Sequence, residues 1–307
     1  MKLQQLKYLC TVVERGYNIT EAAEALFTSQ PGVSKQIRLL ESELGVEILV
    51  RSGNRIIGAT EAGAEIVEAA RRVLTDSRQL EEAAREFTNR SGGRLVVATT
   101  HLHARYPLLP VITAFSKKYA SVQLSLLQCS PAEIEARVAA GEADVGVTTG
   151  AEESPSQCIA LRAYPLKRCV VAPLGHPILK RKKPTLKDIA GYPLIAYNST
   201  LSSGWVVLQT FERAGIQPNI VLSAIDADVI KAYVASGLGI AVLQSLAYDA
   251  QQDREIGAVS ADHLFPSSDT HLILNRGKYL RQYMFDFIAM VAPSWTPPKV
   301  RAALAGA

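Results

Sequence analysis

Thr28-Ser29-Gln30-Pro31-Gly32-Val33-Ser34-Lys35-Gln36-Ile37-Arg38 decides how this chain is read. Pro31 is well tolerated in a first helical turn, and Val33, Ile37, Leu40 and Leu44 then fall on one buried face. Gln30, Ser34, Lys35 and Arg38 are left on the opposite face. Just before this stretch, Asn18 with Glu21 three residues on has the spacing of a capping box. The helix it opens buries Ile19, Ala22, Ala23 and Leu26, and Phe27-Thr28-Ser29-Gln30 is short enough to turn the chain sharply. Leu3, Leu6, Cys10 and Val13 predict one more helix in front. Two short helices so joined make a helix-turn-helix.

Downstream, Val46–Val50 and Arg55–Ile57 flank Ser52-Gly53-Asn54, which predicts a small hairpin with Arg51 and Arg55 at its tip. A hairpin there serves as a wing beside the second helix. Glutamine can pair bidentately with adenine, serine and free amides at a helix start suit phosphate, and lysine and arginine suit guanine or phosphate. The candidate DNA contacts are therefore Thr28, Ser29, Gln30, Pro31, Ser34, Lys35, Arg38, Arg51 and Arg55. Residue chemistry alone leaves a second reading open, that of an ordinary solvated helix face.

From Glu61 to about Asn89 one long helix is expected, with no interior proline. Ile66, Val73, Leu80 and Phe87 recur every seven residues, and Gly63, Ala70, Ser77 and Ala84 recur beside them. A large-and-small heptad seam suits packing along a partner helix, so the four large residues are candidate dimerisation contacts. A helix lying on its own domain is the alternative. Ser91-Gly92-Gly93 ends the helix like a hinge.

Beyond it, strand and helix alternate: strand 94–99, helix 105–119, strand 122–128, helix 131–140, strand 144–148. A second set covers 169–173, 194–197, 204–214, 220–222, 226–236 and 240–243. The final helix is expected over 280–291, followed by a proline-rich tail. Alternation of this kind implies two doubly wound α/β lobes, which bind ligands at the carboxyl ends of their strands. The expected organisation is a mainly helical DNA-binding unit over 1–60, a linker helix over 61–90 and a two-lobed domain over 91–307. Lobe 1 takes about 91–161 and 267–292, and lobe 2 about 162–266.

Composition narrows the function classes. A chain of 307 residues with 48% hydrophobic and 20% charged content is globular, and no apolar run approaches the ~18 residues needed to cross a bilayer. The start lacks a signal-peptide core, so a cytoplasmic protein is expected. Four scattered cysteines form no C-x-x-C pair, and the five histidines show no metal-ligand pattern or catalytic triad. No metal, cofactor or enzymatic activity is therefore expected. Gly237-Leu238-Gly239 lies between a helix and a strand, the reverse of a dinucleotide fingerprint. Lys180-Arg181-Lys182-Lys183 reads as a solvated loop, and Asp226 and Asp228 suit a helix start.

Glu21-Ala22-Ala23-Glu24-Ala25-Leu26, Thr28 to Ser34, and Leu39-Leu40-Glu41-Ser42-Glu43-Leu44-Gly45 resemble the winged-helix signature of LysR-type transcription regulators. Arg51 and Thr60-Glu61-Ala62-Gly63 continue that resemblance into the linker helix. Ala98-Thr99-Thr100-His101, Ala104-Arg105-Tyr106 and Ala224 to Lys231 resemble the CysB-like branch, which governs sulfur assimilation and organosulfur use. The resemblance implies a homotetrameric (dimer-of-dimers) regulator of promoter DNA that influences RNA polymerase. Its sensor domain would be periplasmic-binding-protein-like in fold. It also implies a small anionic effector: sulfate, thiosulfate, an acetylserine, adenosine phosphosulfate or an organosulfur compound.

Three hydroxyl clusters bear on such an anion: Thr99-Thr100, Thr148-Thr149 and Ser199-Thr200-Leu201-Ser202-Ser203. Hydroxyls with free helix-start amides hold an anion without formal positive charge, although each cluster also suits a helix cap. The resemblance carries effector contacts onto Thr100, Thr149 and Ser202, and the candidate set is Thr99, Thr100, Leu102, His103, Thr149, Ser202 and Ser203. The branch usually reads Thr-His-Thr-Gln where this chain has Thr100-His101-Leu102-His103, and Thr-Gly-Arg at Ser202-Ser203-Gly204. These departures point to a different or larger anion. They leave His103 either cationic in the occupied pocket or simply filling space. The rival function is a solute-binding protein or α/β enzyme that keeps the sensor fold.

Overall fold

The computed structural model describes residues 1–53, 55–87, 92–150, 157–198 and 202–306; the side chains of Phe87, Ser202 and Ser203 lie outside that description. Ser91 of the expected hinge, Asn54 of the wing and Ser199-Thr200-Leu201 lie outside it too. The chain divides into two compact units, Met1–Arg90 and Ser91–Ala307.

The first unit comprises α1 (Leu3–Glu14), α2 (Ile19–Ala25), α3 (Gln30–Leu44), the hairpin β1 (Leu49–Ser52) and β2 (Arg55–Ala59), and α4 (Glu61–Phe87). Leu6, Leu9, Ala22, Val33, Ile37, Leu40, Ile48 and Leu49 form its core. Asn18 caps α2 by accepting from the Thr20 and Glu21 amides, at 3.0 and 3.3 Å. The expected capping box takes another form, because the Glu21 carboxylate accepts from the Asn18 side-chain amide, at 2.7 Å. Ser29 caps α3 through the Gly32 amide, and Gly45, with φ of 71°, ends it in the left-handed conformation that glycine adopts without strain.

The start of α4 lies on this unit and not on a partner. A Cβ on Gly63 would stand 1.9 Å from the Ile48 carbonyl oxygen, so only glycine lets α4 approach the wing. Val67 and Ala70 are buried on the same core, and Ile66 is half-buried against it. Gly63 and Ala70 therefore serve packing within the unit, which corrects their assignment to an intermolecular seam. Val73 and Leu80, further along, are 39% and 76% exposed.

The second unit opens with β3 (Gly93–Thr99), α5 (His101–Arg105), α6 (Leu108–Lys118), β4 (Val122–Gln128), α7 (Pro131–Ala139), β5 (Val145–Thr149) and β6 (Cys158–Leu166). Then come β7 (Arg168–Pro173), α8 (Leu186–Ala190), β8 (Leu194–Tyr197), α9 (Ser202–Arg213), β9 (Ile220–Ala224), α10 (Ala227–Ala235), β10 (Ile240–Gln244) and β11 (Ile256–Ser260). The chain closes with β12 (Ser268–Asn275), α11 (Gln282–Val291) and α12 (Pro297–Ala305). Two five-stranded sheets result, β4-β3-β5-β12-β6 in lobe 1 and β11-β7-β10-β8-β9 in lobe 2.

Parallel β3, β4 and β5 end on one edge of lobe 1, and parallel β8, β9 and β10 end on one edge of lobe 2. Lys167 alone separates β6 of lobe 1 from β7 of lobe 2. Because β7 runs antiparallel to β10, its first residue lies at the carboxyl edge of lobe 2. The two carboxyl edges thus meet at the crossover. The expected lobe boundary after residue 161 falls inside β6 and belongs at Lys167.

Two expectations change for reasons of chain chemistry. The helix expected over 105–119 begins later, as α6, after Pro107, which lacks an amide donor, and the short α5 before it was not expected. The proline-rich tail is the start of a helix: Pro297 sits in the first turn of α12, and Val300 is buried in the lobe 1 core. All four cysteines are free thiols. Among the described residues no helix is long and apolar enough to cross a membrane.

Candidate functional site

In the first unit, α3 presents Gln30, Ser34 and Arg38 one turn apart along a groove whose other wall is the hairpin, with Arg51, Gly53 and Arg55. Lys35 and Pro31 lie with them on the outer face of α3. Thr28 is half-buried and Ser29 exposed, its oxygen spent on the cap. Among the described residues, Lys35, Arg38 and Arg55 have no carboxylate partner, so the groove carries uncompensated positive charge and suits a polyanion.

Arg51 differs from them. Its guanidinium grips the Glu41 carboxylate at two points, and Glu41 also accepts the Ile48 and Leu49 amides, at 3.0 and 3.1 Å. Burial alone would raise the Glu41 pKa, but the bonds from Arg51, Ile48 and Leu49 outweigh it and hold the group below its ordinary value. Arg51 therefore anchors the wing to α3, a role beyond the simple phosphate contact expected.

In the second unit, two of the three hydroxyl clusters stand where the lobe 1 strands end, and the third, 199–203, lies outside the described side chains. Thr99 closes β3, but it is fully buried and its hydroxyl donates to the Val147 carbonyl at 3.0 Å. That places its side chain in the sheet and removes it from the ligand set. Thr100 stands at the start of α5 with its hydroxyl free of any cap bond. Thr149 ends β5 and is half-buried.

Of the two readings open for His103, the structure favours the uncharged, space-filling one. The side chain is fully buried, with Nε2 3.0 Å from the Thr149 hydroxyl and Nδ1 3.1 Å from the Tyr164 hydroxyl. Burial drives its pKa down to about 4, so the imidazole is neutral. Of its two neutral tautomers, the one protonated at Nε2 lets Tyr164 donate to Nδ1 and frees the Thr149 hydrogen for another acceptor. Leu102 is not a pocket residue either: with Tyr106 it packs on the apolar cluster of lobe 2 built from Tyr197, Ile230 and Leu243. The hydroxyl missing at 102 has become an inter-lobe apolar contact.

Sequence reasoning missed Tyr164 and the ties between lobes. Strand register places Thr270 opposite both Thr149 and Tyr164. Tyr106 donates to Asp228 at 2.6 Å and His101 lies 2.9 Å from Asp226, while Lys231, on the same helix as Asp228, holds that carboxylate from within lobe 2 at 3.1 Å. Asp226 also caps α10, as an acid at a helix start should. One short helix, α5, therefore carries Thr100, His103 and the contacts to lobe 2. Only a late tyrosine in an unrecognised strand and a generic capping pair could have signalled these links.

A winged helix with a cationic groove, a long helix and a two-lobed sensor with polar strand ends define a transcription regulator with a small-molecule sensing domain. Residues 3–64 match the bacterial regulatory helix-turn-helix protein, lysR family, and residues 88–296 match the LysR substrate binding domain. The chain belongs to the LysR family of transcription regulators. It is 43% identical over 293 residues to the HTH-type transcriptional regulator SsuR of Burkholderia cenocepacia, covering 95% of each chain. It is 38% identical to CysB of the same organism, over 100% of this chain and 98% of the other.

The cofactor-binding domain of the Cbl transcriptional regulator superposes with a TM-score of 0.65 at 33% identity, over 72% of this chain and 96% of that one. Full-length CbnR complexed with its target DNA shares the fold, with a TM-score of 0.64 at 23% identity over 96% of this chain and all of the other. SsuR, CysB and Cbl are transcriptional regulators of the CysB-like, sulfur-related group, not enzymes.

Proposed function

We propose that this chain regulates genes of sulfur assimilation or organosulfur use in response to a small sulfur-related anion bound between the two lobes. The carrying observation is that Thr100, just past the end of β3, and Thr149, at the end of its parallel neighbour β5, share the carboxyl edge of lobe 1, where Thr149 bonds a neutral His103. Neutral donors suit an anion whose charge is spread over several oxygens, as sulfate and thiosulfate are, and the identities to SsuR and CysB support that class. Acetylserines, adenosine phosphosulfate and sulfonates belong to the same panel. Ser202 and Ser203, at the start of α9, complete the reading from lobe 2.

On this reading Gln30 reads a base, while Ser29, Ser34, Lys35, Arg38 and Arg55 hold phosphates, with Thr28 and Pro31 shaping the helix entry. Pairing through Val73 and Leu80, with Phe87, makes a dimer, and two dimers make the working tetramer at a promoter. The anion must bind one closure of the lobes more tightly than another, since only differential affinity shifts such an equilibrium. That shift respaces the DNA-binding heads and changes recruitment of RNA polymerase. A gel shift on the chain's own upstream DNA, with and without each anion, tests the whole scheme. A retarded complex whose mobility or affinity changes with one sulfur anion supports it, and a complex indifferent to all of them removes the effector.

A further inference from the structure

Arg168, Tyr197 and Gln244 are buried polar residues whose side chains hold unpartnered atoms. Their exposures are 3%, 7% and 4%, and Arg168 Nη1, Tyr197 Oη and Gln244 Oε1 each lack a hydrogen-bond partner among the described residues. The three share one edge of lobe 2. Gln244 ends β10 directly opposite Arg168, the first residue of β7, and Tyr197 ends β8, the parallel neighbour of β10. That edge faces lobe 1 across Lys167, and Tyr106 of lobe 1 packs on the cluster that contains Tyr197.

A buried guanidinium without a partner is costly, and arginine cannot escape the cost by losing its proton. Burial pulls the Arg168 pKa below its ordinary value, and Tyr197 and Asp262 act against that pull. The nearest acid is occupied elsewhere: Asp262 Oδ1 accepts the Arg168 backbone amide, at 2.6 Å. Among the described residues no carboxylate forms an ion pair with the Arg168 side chain. Two unmet donors, Arg168 Nη1 and Tyr197 Oη, beside an amide that can turn its NH2 the same way, stand at the strand ends of a ligand-binding fold and suit a bound anion.

We propose that Arg168, Tyr197 and Gln244 form the anion-holding site of lobe 2, binding the charged oxygens of a small oxyanion. The guanidinium and the phenol donate, and the Gln244 carboxamide turns to donate its NH2. This deepens the effector reading, on which it rests: lobe 1 supplies neutral hydroxyls, while lobe 2 supplies the formal charge that selects an anion over an uncharged analogue.

The test uses the full chain and calorimetric titration with sodium sulfate, at ionic strength fixed with sodium chloride. Tyr197→Phe should weaken sulfate binding at least fivefold, and Arg168→Met should abolish it. Without sulfate, both variants should unfold no earlier than the wild type, since each removes an unsatisfied buried group. Wild-type sulfate affinity in both would overturn the proposal. Should Arg168→Met fail to fold, Tyr197→Phe and Gln244→Leu decide between the same outcomes. Thr149→Val separates the two readings. Loss in Thr149→Val with normal binding in the lobe 2 variants keeps the cleft and sinks this site, and the reverse pattern keeps this site and sinks the hydroxyl pocket. A wild type that binds neither sulfate nor thiosulfate sinks both.

Discussion

Arg51 Nη2 lies 2.7 Å from Glu41 Oε2 and Arg51 Nη1 lies 3.2 Å from Glu41 Oε1, a two-point pair that ties the wing to the recognition helix. The pair sets Arg51 apart from Arg55, which has no carboxylate partner among the described residues. Arg51→Ala leaves the Glu41 carboxylate, 9% exposed, with only the Ile48 and Leu49 amides. The loss should be roughly 1–3 kcal/mol of stability in this unit, at the lower end because Arg51 is partly solvated. Arg51→Ala should therefore lower both the melting temperature and DNA affinity. Arg55→Ala should weaken DNA binding and flatten its salt dependence while leaving the melting temperature unchanged. Equal melting temperatures for the two variants would show that the pair does not hold the wing.

Gln30 occupies the same groove without a charge of its own. A base-reading glutamine predicts that Gln30→Ala weakens cognate DNA by about 1–3 kcal/mol and leaves random DNA nearly unaffected. Fluorescence anisotropy on both DNAs at one salt concentration measures the difference. Matching losses on the two would reduce Gln30 to a backbone contact.

His103 makes a pH prediction with a definite sign. Its pKa falls from 6.5 to about 4 on folding, so the unfolded chain binds more protons between those values. The stability it contributes is complete above about 6.5, declines as pH falls towards about 4, and amounts to about 3 kcal/mol across that window. His103→Gln keeps a donor and an acceptor for Thr149 and Tyr164 but cannot titrate. Its stability should fall less steeply than the wild type's between pH 6.5 and 4. Parallel stability curves for the two proteins would mean that His103 titrates normally in the fold.

The recognition stretch was legible because its constraints are local. Helical spacing and a first-turn Pro31 lie within one segment, and the structure realises them there, adding a Ser29 cap and a stop at Gly45. The effector edge was only half legible. Thr100 and Thr149 stand at strand ends that alternation reveals, whereas Tyr164 and Thr270 meet them through β12, which joins β5 to β6 from more than a hundred residues away. Leu102 was misplaced, and His103 left open, for a related reason. A sequence reading assigns pocket residues by neighbourhood, but α5 turns Leu102 towards lobe 2 and buries His103 beneath Thr149. The Arg168–Gln244 pairing likewise depends on β7 and β10 meeting antiparallel within lobe 2, from more than seventy residues apart in the chain.

The heptad of α4 gives the last prediction, now confined to its distal half. Ile66 is half-buried on its own winged helix, so it is not available to a second chain. Val73 and Leu80 are different: two large apolar side chains seven residues apart, 39% and 76% exposed along the same helix. Repeats of seven keep a partner helix in register, and burying Leu80 fully stabilises a pair by roughly 1.5–3 kcal/mol. Aspartate at both positions would place unpaired charges in that seam, which costs more than the apolar contact returns. The winged-helix core should survive, because Val67 and Ala70 hold the first turns of α4 independently. The lobes should survive as well, since each closes its own apolar cores. Val73→Asp with Leu80→Asp should therefore give smaller particles by light scattering and much weaker binding to a two-half-site operator, with sulfate titration unchanged. A double variant that keeps its wild-type mass and operator affinity would place the dimer contact elsewhere than on α4.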